Sequence, residues 1–474
     1  MDVLVGIDIG TTNIKTIAIT PEGNIIYETS KKNKVIENQG YIDLDGEYIF
    51  NSIIKMIKEI ISNNYKILSI GISSLAETVF PVNIGKDEKD IMKRAMIWHD
   101  KRTEENMEDF FSKIDKKEYF QVTGLHSQYL YSVFKLDWYY KHNPGLFKKN
   151  IKWLPVNSYI AYRLTDQLGI DYSLASRTGA INVFKRKWSK KIFDLLPFSQ
   201  KVFPDLVECG TKIGNIQKSI KKYLGINYNI PISLSGHDHI CGSYAVASFQ
   251  EDILLDSMGT AENIMAIVDP VEIDLKKLYD YEVNVGLHVI PNKLYLYEAF
   301  NYSGALINNI ISLFFNKEIE EINDADFKVF NQEASKFKKE NIDIEIVVEQ
   351  NDDKISDYKS KGISFLNIPI YAQRGKIFMS IIRYLAKKSQ LVIDDIEYIT
   401  QNSYDIIAIG GSTRNDLLMK EKAKVLDNVL YINKIDEAVT LGAALLGGVG
   451  AKVFEDYKEA VNNINREKVK ITNE

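Results

Sequence analysis

Residues 5–15, VGIDIGTTNIK, constrain the fold more than any other stretch of the chain. A short apolar run meets Asp8, turns through Gly10, Thr11, Thr12 and Asn13, and reaches Lys15 two residues later. The continuation TIAITPEGNIIYE sets Pro-Glu-Gly-Asn between two apolar-rich runs, so the pattern predicts strand–turn–strand and not a strand-to-helix loop. Gly10 lets the backbone turn tightly and approach an anion. Thr11, Thr12 and Asn13 offer donors, Lys15 brings positive charge, and Asp8 at a strand end can hold a hydrated Mg²⁺. These are the needs of a nucleotide's phosphate tail. An ordinary hairpin with polar turn residues fits the same pattern.

A second stretch echoes the first. DSMGTAENIMAIV (256–268) also runs from an aspartate through a Gly-Thr pair into an apolar strand. Two such hairpins predict two related domains facing one nucleotide, and 474 residues suffice for both. The boundary is expected near residue 245, giving domains 1–245 and 246–474. Strands are predicted at 67–73, 230–235, 252–256 and 405–409, and an amphipathic helix over 46–62 with isoleucines at helical spacing. Strands mixed with helices give an α/β class. The charged segment 317–361 reads as surface helices or an insertion without chemistry, and the last 15 or so residues as a solvated tail.

Charge excludes some functions. Lys+Arg 59 against Asp+Glu 64 leaves a net charge of -5, which argues against a general nucleic-acid binder. Cys209 and Cys241 are too few for a disulfide framework or a thiolate zinc site and read as buried thiols. MDVLVGID has neither the basic start nor the apolar length of a signal peptide. The 438–451 run is too short and too glycine-rich to span a bilayer. The expected location is the cytoplasm, with no membrane partner.

Three further constellations carry chemistry. In SLSGHDHICGSYAVA (233–247) a strand ends at Gly236 and His237-Asp238-His239 open a small-residue helix. At a helix N-terminus Asp238 is favoured in its ionised form, the form a general base for a hydroxyl requires. The flanking histidines suit substrate hydroxyls; His239 is the one taken as a substrate residue. In SSLAETVFPVN and AMIWHDKRT, Glu77, Trp98 and Asp100 combine carboxylates with an aromatic face, as sugar recognition does. A core tryptophan with a local Asp100–Arg102 ion pair fits these residues equally. In IIAIGGSTRNDLLMK (406–420) a strand runs into Gly410-Gly411, and Asn415 is placed to meet an adenine edge.

Taken in order, these blocks resemble the FGGY family of carbohydrate kinases. GIDIGTTNIK resembles its first phosphate motif, GISSLAETVFPVN its first substrate loop, and MIWHDKRT its Trp-x-Asp-x-Arg stretch. TGLHSQYLYSVFKLDW and YRLTDQLGIDYSLASRTGAIN resemble further N-terminal blocks, SGHDHICG the catalytic-aspartate block, DSMGTAE the second phosphate motif, NYSGALIN a nucleotide-lining helix and IGGSTRND the adenosine motif. The resemblance implies two RNase H-like domains of the actin, hexokinase and heat-shock-70 superfamily around a central cleft. It also implies ATP and Mg²⁺ as cofactors, a small sugar as substrate, and no nucleic-acid partner; a homodimer is compatible with it. By matching positions Asp238 is the general base and Asp8 supports Mg²⁺. Gly10, Thr11, Thr12, Lys15, Gly259 and Thr260 cradle phosphates. Gly304, Asn308, Gly411 and Asn415 line the adenosine pocket. Glu77, Trp98, Asp100 and His239 contact substrate.

The chain departs from the pattern at Ala76, where glycerol kinases carry arginine, and at Leu130, where they carry a substrate tyrosine; both argue against glycerol. GISFLNIPIYAQRGK is a shortened remnant of a C-terminal family stretch. The implied substrate is a ketose, polyol or sugar acid. A conformational ATPase of the heat-shock-70 type shares the GIDIGTTN opening, but the chain lacks room for its peptide-binding domain and lid. A sugar sensor without catalysis would not need intact Asp8, Asp238 and Gly-Thr elements.

Overall fold

The computed structural model describes the chain except residues 85–91, 248–251, 271–272, 301, 349–361, 436, 463, 465–466 and 473–474. Two central sheets organise it. The first contains β1 (Asp2–Ile9), β2 (Asn13–Ile19), β3 (Ile25–Lys32), β4 (Lys66–Ser74), β5 (Lys212–Asn215) and β6 (Pro231–His237), in the order β5-β6-β4-β1-β2-β3. The second contains β7 (Ile253–Met258), β8 (Glu262–Val268), β9 (Asn284–Leu287), β10 (Leu294–Phe300), β11 (Asp405–Ile409), β12 (Leu430–Asn433) and β13 (Lys468–Lys470), in the order β9-β10-β8-β7-β11-β12-β13.

With β9 set aside, the second sheet repeats the first. Each has a central strand (β1 or β7) with an antiparallel hairpin partner on one side. Each has two parallel strands on the other side, closed by an antiparallel edge. The Asp8 and Asp256 echo is therefore architectural, since both aspartates lie on the strand that enters the same hairpin. β1 is buried along nearly its whole length, as an unbroken apolar run in a covered parallel sheet should be. Helix α1 (Gly46–Ser62) buries Ile49, Ile53, Ile57 and Ile60 on one stripe, and its N-cap Asp45 accepts the Tyr48 amide.

The remaining helices used below are α2 (Tyr172–Ser176), α3 (Asp238–Ala247), α4 (Ser303–Phe315), α5 (Arg374–Thr400), α6 (Asp416–Val425) and α7 (Ala438–Gly450). Although α7 lies near the end of the chain, it is seated on the first sheet. A Cβ on Gly6 would lie 1.8 Å from the Thr440 carbonyl oxygen, and one on Gly71 1.8 Å from that of Ala443. On α7, a Cβ on Gly442 would lie 2.2 Å from the Cys241 oxygen of α3. Small residues are needed here because backbone meets backbone. Leu4 and Ile17 from the first sheet, Leu255, Met265 and Ile407 from the second, and Ile240, Leu441 and Leu445 from the two helices share one buried cluster. Cys209 and Cys241 are free and buried.

The charged 317–361 segment contains a helix at Asp324–Ser335 and a strand at Glu345–Val348 paired with Ile363–Leu366; residues 349–361 lie outside the described residues. Within the expected solvated tail, Lys468–Lys470 form a largely exposed edge strand. Its backbone pairs with β12 while its charged side chains face outward, so the ladder needed no apolar signal.

Candidate active site

The first hairpin closes by the Gly10 amide donating to the Asn13 carbonyl at 2.9 Å, and Asn33 Nδ2 braces the Gly10 carbonyl at 2.8 Å. Thr12 is exposed at the tip. Thr11 Oγ1 accepts from Trp98 Nε1 at 3.0 Å, which brings the aromatic residue to the phosphate hairpin. The second hairpin closes by the Gly259 amide donating to the Ala261 carbonyl at 2.8 Å. The start of α4 is fastened to it: the Gly304 amide donates to the Gly259 carbonyl at 3.1 Å and the Ala305 amide to that of Thr260 at 3.0 Å.

Glycines at these positions serve more than a ligand. A Cβ on Gly304 would lie 2.4 Å from the Gly259 oxygen, and one on Gly410 (φ +98°) 2.5 Å from the Met258 oxygen. The adenosine-motif turn and α4 therefore press on the second hairpin itself. Among the described residues, only Gly411 of this set faces open space, with nothing within 4 Å of a built Cβ. Asn308 is half-buried one turn beyond Gly304 on α4. Asn415 caps α6 through Oδ1, which accepts the Leu418 amide at 3.1 Å. Its buried Nδ2 has no hydrogen-bond partner among the described residues.

Asp238 is the first residue of α3 and remains partly exposed. Its Oδ1 accepts the His239 amide at 2.6 Å and lies 3.2 Å from His237 Nε2. Burial pushes His237 down to about 3, so it is neutral at physiological pH. The approach to Asp238 is fixed by a short chain of bonds. Asp171 Oδ1 accepts from Ser173 Oγ at 2.7 Å, and that hydroxyl accepts the His237 amide at 2.9 Å. Gly236 (φ +89°) makes room for it, since a Cβ there would lie 2.5 Å from Ser173 Oγ.

Asp8 is the last residue but one of β1 and accepts from Ser73 Oγ at 3.3 Å. Burial, reinforced by the neighbouring Asp238 charge, pushes its carboxyl up to about 8, with Lys15 opposing. The pair of carboxylates is thus short of positive charge, which suits a divalent cation. Among the described residues no group of three His, Cys, Asp or Glu side chains could hold a metal alone. Such a site fits an ion held largely by phosphates and water through one carboxylate, the usual habit of Mg²⁺.

Two predicted residues are committed elsewhere. Lys15 Nζ is paired with Glu437 Oε1 at 2.6 Å, so it joins the first hairpin to the start of α7 and does not stand free for a phosphate. Asp100 is 1 % exposed. Its Oδ2 accepts the Ile42 amide at 2.6 Å and Arg102 Nη2 at 2.7 Å; its Oδ1 accepts Arg102 Nε at 2.8 Å. The local ion pair accounts for it, and the expected sugar contact does not match this saturated carboxylate.

Three residues escaped the sequence reading. Arg177, just past α2, gives Nε and Nη2 to Glu77 Oε1, each at 2.6 Å. Glu77 itself is buried with φ +60°, a strained conformation for a non-glycine residue. Arg177 thus reaches Glu77 from 100 positions further along the chain. Tyr297, on β10 of the second sheet, is pushed up to about 12 chiefly by burial and feels the charges of Arg177, Glu77 and Asp238. Lys135 is fully buried, donates to the Leu130 carbonyl and to that of Trp98 at 3.3 Å, and is pushed down to about 7 by burial. A buried lysine holding carbonyls looks in sequence like any helical lysine; the quoted Ser-Arg-Thr block was the available signal for Arg177.

The model of the FGGY family of carbohydrate kinases, N-terminal domain, matches residues 3–244, and that of the C-terminal domain matches residues 281–451. The rhamnulokinase of Oceanobacillus iheyensis is 25% identical over 468 residues, covering 96% of this chain and 94% of that protein. The xylulose kinase of Staphylococcus xylosus is 22% identical over 465 residues, covering 97% and 93%. Among solved structures, Plasmodium falciparum glycerol kinase with ADP superposes with a TM-score of 0.85 at 18% identity, over 99% of this chain and 94% of that one. Gluconate kinase from Lactobacillus acidophilus gives 0.84 at 20% identity, over 98% and 92%. The chain belongs to the FGGY family of carbohydrate kinases, enzymes that use ATP and Mg²⁺ to phosphorylate a sugar.

Proposed function

We propose that Asp238 is the general base of phosphoryl transfer from ATP to one hydroxyl of a small uncharged ketose or polyol. The observation that carries this reading is the placement of Asp238 at the head of α3, within electrostatic reach of Asp8 in the first half and Tyr297 in the second. Asp238 takes the hydroxyl proton while that oxygen bonds to the γ-phosphorus and the bond to the bridging oxygen of ADP breaks. Glu77, held through Oε1 by Arg177, offers its other oxygen to sugar hydroxyls. His239 and Trp98 flank them. Backbone amides and hydroxyls of Gly10, Thr11, Thr12, Gly259 and Thr260 orient the phosphates. Gly304, Asn308, Gly411 and Asn415 border the adenosine, and the unpartnered Asn415 Nδ2 supports that role. When bound at Asp8, Mg²⁺ neutralises phosphate charge. Closure of the halves excludes water and limits futile hydrolysis.

Substrate charge follows from pairing. Arg177 is matched by Glu77 and Lys15 by Glu437, which favours an uncharged ketose or polyol over a sugar acid. The reading includes domains at 1–245 and 246–474 and action in the cytoplasm; among the described residues no helix is long and apolar enough to cross a membrane. ADP release measured against pentuloses, hexuloses, polyols and aldonates tests it. Turnover is expected to require one uncharged sugar. Turnover stimulated only by an aldonate would overturn the charge argument, and turnover indifferent to every sugar would overturn the transfer itself.

A further inference from the structure

Beneath the second hairpin lies a buried ion network that the reaction does not use. Lys422 of α6 is 0 % exposed, as are Asp256 of β7 and Glu262 of β8. Lys422 Nζ reaches Asp256 Oδ2 at 2.5 Å, Glu262 Oε1 at 2.6 Å and Met258 Sδ at 3.5 Å. Met258 and Glu262 are cross-strand partners and Asp256 is two residues before Met258, so all three side chains share one face of the hairpin. Glu262 is the hub. Its Oε2 accepts Ser303 Oγ at 2.8 Å, and its Oε1 also accepts Ser389 Oγ. Ser303 opens α4 beside Gly304, and Ser389 lies within α5. One carboxylate therefore ties the hairpin to α4, α5 and α6.

We infer that Glu262, with Lys422 and Ser303, is a positioning set for ATP: it holds the Gly259-Thr260 turn, the start of α4 and the Asn415 helix in one fixed arrangement. This rests on the reading of those three elements as the nucleotide side. Stability alone is a poor reason for the network, because apolar residues of similar volume commonly serve a core as well as a buried ion cluster. Its members instead sit where nucleotide elements meet. Asp256 Oδ1 is buried without a partner, so this carboxylate is the weaker member. Burial and the Glu262 charge push Asp256 up to about 7, in keeping with one acid too many around one lysine.

The inference separates variants of similar chemistry. Glu262→Gln and Ser303→Ala should each raise the KM for ATP about tenfold, the usual worth of a hydrogen bond to a charged group. The KM for sugar and kcat at saturating ATP should stay within about twofold, because neither residue touches the sugar or the reacting atoms. Wild-type protein titrated with a fluorescent ADP analogue serves as the reference. If it binds and Ser303→Ala, folded by circular dichroism, keeps the wild-type KM for ATP, the inference is overturned. A fall in kcat with both KM values unchanged also overturns it. Should Glu262→Gln fail to fold, Ser303→Ala decides alone. Failure of wild-type protein to bind the analogue overturns the underlying nucleotide-side reading, and this inference with it.

Discussion

Asp238→Asn is expected to fold and bind ATP like the wild type while losing transfer by roughly 10²–10⁴-fold, the range for removing a positioned general base. Asparagine keeps the shape and can still accept the His239 amide that Asp238 Oδ1 accepts at 2.6 Å. It cannot take a proton from a hydroxyl. The fold should not suffer, because the side chain is partly exposed and its charge opposes ionisation of the nearby Asp8. Thermal unfolding and ATP binding beside initial rates separate these effects. Near-normal rates in the variant would remove Asp238 from the reaction; loss of folding would mean that the carboxylate has a structural duty.

Gly71→Ala is expected to damage the protein by a different route. The added Cβ would meet the Ala443 carbonyl oxygen at 1.8 Å and Ser235 Oγ at 2.7 Å. The first obstacle is helix backbone, which no rotamer change can clear. α7 would have to lift from β1 and β4, opening the buried cluster that joins the two sheets. It would also draw Glu437, the residue preceding α7, away from Lys15. A loss of about 3 kcal/mol, the upper part of the range for overpacking, is the expected minimum. Gly6→Ala repeats the test, since its Cβ would lie 1.8 Å from the Thr440 oxygen. Denaturant unfolding measures both. Wild-type stability in either variant would mean that α7 is not seated on the sheet as described.

Features that depend on near neighbours were legible in the chain. The hairpin after Asp8, its repetition after Asp256, the isoleucine stripe of α1 and the helix opening at Asp238 are each written within some twenty consecutive residues, and each has the expected local form. What depended on distant partners was not. Lys15 looked like a phosphate ligand because nothing near it announces Glu437, 422 positions on. Asp100 looked like a sugar contact because the Ile42 amide that fills its second oxygen belongs to another strand of the fold. Arg177 and Tyr297 were missed because only the fold brings their remote segments to Glu77 and Asp238. The Gly410-Gly411 pair was read as permitting close backbone approach and Gly304 as lining the adenosine pocket; at 304 and 410 the backbone that comes close is that of the Met258-Gly259 hairpin. A pattern of small residues announces tight packing without saying against what.

The most direct measurement is a crystal structure of the protein with a non-hydrolysable ATP analogue, Mg²⁺ and the sugar selected by ADP release. One sugar hydroxyl oxygen is predicted to lie about 3 Å from a carboxylate oxygen of Asp238 and in line with the γ-phosphorus. The phosphates are predicted to lie between the turn at Gly10–Thr12 and the turn at Gly259-Thr260. A sugar whose hydroxyls all lie beyond the reach of Asp238, or phosphates bound outside both turns, would contradict the assignment.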